Sequence, residues 1–192
     1  KNQADMTEFT IQYNKAFKGG HSLNALAGYS WNKNNNQEAF MDNYNFPTDD
    51  YSYNNMAAGT ALKDGKATEK TYQEEYKLVG YFGRINYNYQ GKYYLSASIR
   101  HEGSSKFGAD HKWGTFPAVS IGWNLKEESF LKNVNFLSFL KLRAGYGITG
   151  TIPGNPYLSL NTLDLGGYGY YGGQWTTLLR ASSNPNPDLR WE

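Results

Sequence analysis

Few side chains in this 192-residue sequence are spaced for covalent chemistry. Its three histidines, His21, His101 and His111, do not fall at helix or finger ligand intervals, so no metal is expected. Asp49-Asp50 lacks the spaced carboxylates of a calcium loop. No nucleophile elbow, phosphate loop or zinc-protease motif is present, and no cysteine. The expectation is no enzyme, no cofactor and no disulfide. What remains is recognition. The run Gly166 to Trp175 gathers Tyr168, Tyr170, Tyr171 and Trp175, rings that can stack on the C–H faces of sugars or pack over one another as a loop. A second set, Arg84, Arg100, Lys141 and Arg143, is basic. It can attract an anionic solute or pair with carboxylates of neighbouring segments, as enclosed charges must.

The basic set sits on segments of period two. In Tyr93–Arg100 the odd positions Tyr93, Leu95, Ala97 and Ile99 are apolar or aromatic, while Ser96, Ser98 and Arg100 are polar. Val79, Tyr81, Ile85, Tyr87 and Tyr89 oppose Arg84, Asn86 and Asn88 in the same way. Only Gln90-Gly91-Lys92 separates these runs, which reads as a hairpin. Pro117, Val119, Ile121, Trp123 and Leu125 oppose Ser120, Gly122 and Asn124. Leu140, Leu142, Ala144, Tyr146 and Ile148 oppose Lys141, Arg143, Gly145 and Gly147. Phe9, Ile11, Tyr13 and Phe17, then Leu23, Ala25, Ala27, Tyr29 and Trp31, extend the plan upstream. Leu26, Phe116 and Ala118 are misfits on the polar side, and Pro117 suggests a strand start or bulge.

The expected fold is all-β: an antiparallel up-and-down meander with strands near 7–17, 21–31, 78–90, 93–102, 114–125 and 139–148. Leu189-Arg190-Trp191-Glu192 reads as a seventh just starting. One greasy and one wet face fit a soluble sheet on a core, or a membrane barrel between lipid and lumen. Aromatic placement favours the barrel. Tyr29, Trp31, Tyr81 and Tyr146 lie toward one end of their strands; Phe17, Tyr87, Tyr89, Tyr93 and Trp123 lie toward the other. Strands of about ten to twelve residues, tilted roughly 40°, span about 25–30 Å.

Composition agrees. Aromatics make up 17% of the chain, with 17 Tyr and 21 Gly, as suits strands joined by tight turns. No apolar run reaches the roughly 18 residues of a spanning helix, which leaves a barrel open. A net charge of +2 gives no case for nucleic acid. Connections alternate in length. Lys18-Gly19-Gly20 and Gln90-Gly91-Lys92 are short. Residues 32–77, with Tyr44, Tyr51 and Tyr53, and residues 149–187 are long polar loops. Gly103–His111 is a shorter loop, and residues 126–138 allow one helical turn near Glu127–Lys132. Short turns at one rim and long loops at the other are the sidedness of outer-membrane barrels. No domain boundary is expected.

Several collinear motifs carry a resemblance. They are Tyr81-Phe82-Gly83-Arg84-Ile85-Asn86-Tyr87, Ser98-Ile99-Arg100-His101-Glu102-Gly103-Ser104-Ser105-Lys106-Phe107-Gly108, and Trp113-Gly114-Thr115-Phe116-Pro117. Ile121-Gly122-Trp123, Leu140-Lys141-Leu142-Arg143-Ala144-Gly145-Tyr146-Gly147 and Asn186-Pro187-Asp188-Leu189-Arg190-Trp191-Glu192 follow. Together they resemble the barrel of the SusC/RagA family of TonB-dependent outer-membrane transporters. His101-Glu102 and Thr151-Ile152 depart from the family's more frequent Arg-Asp and Asn-Gln, both at loop mouths. The resemblance implies residues 1–192 as part of a plugged barrel of about 22 strands, with plug, TonB box and closing strands outside this sequence. It also implies TonB-coupled import of oligosaccharide or peptide cargo across the outer membrane, with a SusD-like lipoprotein as lid. A surface lectin or adhesin built on the same loops is the rival reading. A barrel enzyme would need a rim constellation of His with Ser or Asp that is not found.

Overall fold

The structure, a computed structural model, describes residues 1–51 and 54–192, so Tyr53 lies outside it. Six strands form one sheet in chain order: β1 (Asn2–Phe17), β2 (His21–Asp42), β3 (Thr68–Tyr89), β4 (Tyr93–Ser104), β5 (Trp113–Asn124) and β6 (Lys141–Gly147). From β3 to β6 each pairing is antiparallel. A short helix α1 (Ser129–Lys132) lies between β5 and β6, where one helical turn is expected. A second, two-stranded sheet joins β7 (Leu163–Tyr171) to β8 (Gln174–Ala181).

The register turns the sequence parity into two faces. Tyr87 pairs with Leu95 and Leu95 with Ile121; Ala97 pairs with Val119, and Trp123 with Leu142. Directly paired residues share a face, so these apolar side chains form one continuous surface. It is uncovered: Ile11 is 78% exposed, Ile121 60% and Leu142 56%. Among the described residues Phe107 is the one large apolar side chain that is fully buried. A soluble sheet would hide this face in a core. An uncovered apolar face with a polar reverse is the barrel arrangement.

Aromatic rings mark both edges of that face. Toward the short turns, His21 stacks on Tyr89 at 4.5 Å, Tyr89 on Tyr93 at 6.2 Å and Tyr93 on Trp123 at 6.4 Å. Toward the long loops, Tyr29 meets Tyr81 at 5.3 Å, Tyr81 meets Trp113 at 6.3 Å, and His101 stacks on Trp113 at 4.8 Å. From Tyr93 to His101 is about 26 Å along the strand, near the roughly 25 Å apolar band of a membrane barrel. Lys15, on the apolar face, places Nζ 5.1 Å from the Phe17 ring centroid at the same edge as Tyr93.

The short-turn rim is stitched together. Gln90 and Gly91 have φ of 54° and 69°, the pair of positive values of a type I′ hairpin turn. The Gln90 N–H donates to Gly20 O at 2.7 Å, and the Asn124 N–H to Lys92 O at 2.7 Å. Tyr93 Oη donates to Glu128 Oε1 at 2.6 Å and Trp123 Nε1 to the same oxygen at 3.0 Å; Lys92 Nζ lies 3.4 Å from Oε2. These partners tie the β5–β6 connection to the ring belt. Lys126 Nζ ties the connection to itself through the carbonyls of Leu131, Lys132 and Val134.

Three expectations need correction: those on residues 32–42 and 68–77, on Pro117 and on residues 189–192. Residues 32–42 and 68–77 are strand, not loop: β2 and β3 run on beyond the aromatic edge, and polar Asn-rich sequence pairs as well as any where no lipid sorts its side chains. By its internal contacts, and apart from these corrections, the chain divides into two compact units, Lys1–Ala4 with Asn34–Glu75 and Asp5–Lys33 with Tyr76–Glu192. The first has its own organiser. The Asn43 amide donates to the carbonyls of Met56 and Gly59, and its oxygen accepts from the N–H groups of Tyr44 and Leu62. Pro117 lies within β5 without a bulge. Its carbonyl accepts from the Ile148 N–H, and the β5–β6 ladder ends at Ala118, so the missing proline donor falls just past the ladder. Residues 189–192 join neither sheet.

Two outcomes test this fold in the intact membrane-embedded protein. Leu95→Arg places a charge on the apolar face and should cost roughly 2–4 kcal/mol, whereas lumen-side Ser96→Arg should be tolerated. Fluorophores at Leu95 should answer to lipid-borne quenchers and those at Ser96 to aqueous ones; aqueous quenching at both would overturn the lipid-facing assignment. The second concerns pH. Hydrogen bonds from Tyr93, then Trp123, hold the Glu128 carboxyl below its usual value. Its contribution is therefore complete above about pH 4.3, the ordinary glutamate value, and is lost as pH falls through the lower folded value. Glu128→Gln should flatten the acid limb of a melting-temperature profile; an unchanged limb would assign it to other groups.

Candidate functional site

Three places on the larger unit hold the residues that the sequence singles out: the polar face of the sheet, a knot at the long-loop rim, and the β7–β8 hairpin.

Arg84, Arg100, Lys141 and Arg143 all lie on the polar face, and their circumstances differ. Arg84 pairs with Ser98 across β3–β4. Arg100 is neutralised on its own strand: Nε donates to Glu102 Oε2 at 2.7 Å and Nη2 to Oε1 at 3.1 Å. Lys141 places Nζ 3.4 Å from the Tyr94 ring centroid. Arg143 stands opposite Gly122. Among the described residues Arg84, Lys141 and Arg143 form no ion pair. Between the cations runs a ladder of amides and hydroxyls. Asn24 donates to Asn14, Asn86 Nδ2 to Asn24 Oδ1 at 3.2 Å, and Ser96 Oγ to Asn86 Oδ1 at 2.7 Å. A trough of about 600 Å³ follows this ladder toward the short-turn rim.

The knot is the motif Ser104–Gly108, the one buried cluster of this unit. Ser104 and Lys106 are buried with Phe107. The Ser105 N–H donates to Lys77 O at 3.0 Å, and Ser105 Oγ accepts from the Lys77 N–H at 2.9 Å. Lys106 Nζ donates to Pro153 O at 3.0 Å and Gly154 O at 2.6 Å, and lies 4.1 Å from the Tyr76 ring centroid. Phe107 packs on Trp191 at 4.7 Å, and Trp191 meets Phe116 edge-on at 5.0 Å. Phe116, a misfit by parity, thus has an apolar partner on the polar side. Gly108 donates its N–H to Leu189 O, and a Cβ there would lie 1.7 Å from Pro187 O, so only glycine fits. No feature of the SSKFG run announces burial. Lysine in a knot is readable only once its carbonyl partners are known.

The knot carries the hairpin. Asn186 N–H donates to Leu158 O, and Thr162 Oγ1 meets Ser182 Oγ at 2.5 Å, closing the stem below β7 and β8. A register shift between Leu165 and Tyr168 then re-sorts the side chains. Leu163, Leu165, Tyr168 and Tyr170 share one face with Trp175, Thr177 and Leu179. Tyr171 pairs with Gln174 on the other face, with Thr176 and Arg180. The structure therefore brings Tyr168, Tyr170 and Trp175 together, with Tyr170 and Trp175 edge-on at 5.7 Å, and sets Tyr171 apart. Gly172 and Gly173, at φ 59° and 84°, make the turn.

The histidines are scattered: His21 bonds Tyr87 Oη at 2.6 Å, His101 bonds Thr115 Oγ1 at 2.9 Å, and His111 lies 3.7 Å from Asp188.

A family model described as TonB dependent receptor-like, beta-barrel, matches residues 2–192. TonB-dependent receptor P3 of Formosa agariphila is 36% identical over 187 residues, spanning 97% of this chain and 18% of that protein. TonB-dependent receptor SusC of Bacteroides thetaiotaomicron is 52% identical over 88 residues, 45% of this chain and 9% of that protein. Among solved structures, the RagAB peptide transporter matches with a TM-score of 0.87 over 99% of this chain and 20% of that one; at 23% identity, this is a likeness of fold. The chain spans about a fifth of the length of such relatives.

The knot can be tested directly. Phe107→Ala should cost about 3–5 kcal/mol, the range for removing a buried phenylalanine. In the intact protein it should lower the melting temperature and open new protease sites within residues 149–162. Unchanged cleavage there would mean that the loop is held by something other than the knot.

Proposed function

Because the chain belongs to the TonB-dependent receptor-like β-barrel family, in its SusC/RagA branch, we propose that residues 1–192 are part of the wall and loops of an outer-membrane nutrient importer. The branch places the strands in the Gram-negative outer membrane. The observation that carries the reading is the two-sided sheet: an uncovered apolar face edged by two rows of rings, backed by a wall of Asn, Ser, Gly and basic side chains. Such a wall bonds a hydrated solute without gripping it.

In the whole protein, cargo enters from the long-loop rim under a SusD-like lipoprotein, and TonB supplies the energy. The cargo is an oligosaccharide. Tyr168, Tyr170 and Trp175 offer ring faces to sugar C–H groups, and Tyr171 offers a separate plane beside Gln174 and Thr176. The chain contributes positioning and hydrogen bonds, and no covalent step.

Replacing Tyr168, Tyr170 and Trp175 together by Ala in the intact transporter should lower oligosaccharide uptake at least tenfold, since each ring contact contributes about 0.5–1.5 kcal/mol beyond burial. Tyr171→Ala alone should cost severalfold less. Barrel assembly, read by heat modifiability, should be unchanged. Uptake, but not surface binding, should stop when TonB is removed; uptake indifferent to TonB would favour a surface binding protein. Full uptake by the triple variant would return these rings to loop packing.

A further inference from the structure

We propose that the trough beside Lys141 and Arg143 is a carboxylate-binding site in the lumen wall, and that its ligand is an acidic, uronate-bearing oligosaccharide in transit. The proposal rests on the import reading and narrows its substrate class. Two cations and no carboxylate line the trough. The four basic residues of the wall are thereby divided: Arg100 spends its fork on Glu102, while Arg143, two positions beyond Lys141 on the same face of β6, keeps its guanidinium for a ligand. Arg143 is exposed and Lys141 half-buried, so both charges are open to a ligand on the polar face. Arg143 is opposite Gly122, whose lack of a side chain leaves the fork open to a planar, bidentate acceptor. Lys141 is held over the Tyr94 ring, which fixes its stem and presents a point charge beside the fork.

The neighbours select the rest of the ligand. Ser22, Asn24, Asn86 and Ser120 line the same trough, and the Asn24–Asn86–Ser96 bonds fix which way the amides point. Tyr87, Tyr94, Leu95, Ile121 and Ala144 also line it, so the uncharged polar contacts come from hydroxyls and amides. A polyhydroxylated chain with one carboxylate per ring matches both features. An acidic segment of the transporter itself matches only the charge.

The test uses the full-length protein that contains this chain, purified in detergent, with a galacturonic acid trisaccharide and a neutral galactose trisaccharide as probes. The wild type should bind the acidic probe more tightly, with an affinity that weakens as salt rises. Arg143→Gln should lower the acidic-to-neutral affinity ratio about tenfold, Lys141→Gln should lower it less, and Arg143→Lys should restore part of it. An unchanged ratio would overturn the proposal while leaving import intact if the neutral sugar is still taken up. Binding and uptake of neither sugar would remove the carbohydrate reading and this proposal with it. Carbodiimide coupling of Lys141 to a carboxylate of the same protein, with the ratio unmoved, would reassign the site to an internal segment and overturn it as well.

Discussion

Everything in this molecule depends on one constraint: a backbone that crosses hydrocarbon must bond all its N–H and C=O groups to protein. A sheet meets it strand by strand, and in doing so commits side chains to two faces by parity alone. A one-residue slip would put Arg84, Arg100 and Arg143 into lipid. The turns prevent the slip. Gln90-Gly91 sets the β3–β4 register through its positive φ values, and the Gln90–Gly20 and Asn124–Lys92 bonds align neighbouring turns with one another. Glu128 adds a side-chain check, because it reaches Tyr93 and Trp123 together only when β4 and β5 are paired as they are.

Size complementarity does on the polar face what parity cannot. The Phe82 ring lies over Gly28, where a Cβ would come within 2.3 Å of the ring. Phe116 and Trp191 lie over Gly114 and Gly150. A strand glycine costs packing and conformational entropy, and here each returns room for a ring. Rings can therefore sit inside the wall without crowding the sheet, and Phe116, an apolar misfit of the polar face, is accommodated in this way.

These devices explain what could be read from the sequence. The membrane part was legible because lipid and lumen impose period two on Tyr93–Arg100 and its neighbours, and because Gly marks the turns. The aromatic edges were legible too: Tyr29, Tyr81, Tyr93 and Trp123 stand in the two rows. Beyond the rings the signal fades. No lipid sorts the side chains there, so β2 and β3 read as loop through Asn34-Asn35-Asn36 and Glu74-Glu75 although they remain strands. The hairpin aromatics were legible as a cluster, and alternation alone separates Tyr171 from Tyr168 and Tyr170, but a single register shift between Leu165 and Tyr168 decides which of them joins the face of Leu163 and Leu165. Composition has no access to a bulge. Nor does it reveal that Arg100 is neutralised by Glu102, two positions along its own strand, while Arg143 is not.

The long-loop rim follows from the same order of dependence. A two-stranded hairpin is marginal by itself in water, so β7–β8 holds its shape only as far as its feet are held. Those feet are the Thr162–Ser182 clip and the Asn186–Leu158 bond. Behind them stand Trp191 on Phe107, Lys106 on Pro153 and Gly154, and Ser105 on Lys77 of β3. Each link reaches one step closer to the sheet. The buried knot thus converts the rigidity of a lipid-bound wall into a fixed stem for an otherwise unsupported flap. Changes in Phe107 or Lys106 must then act on the geometry of Tyr168, Tyr170 and Trp175. In this molecule the hairpin stem and the wall are coupled through one buried phenylalanine and the lysine beside it.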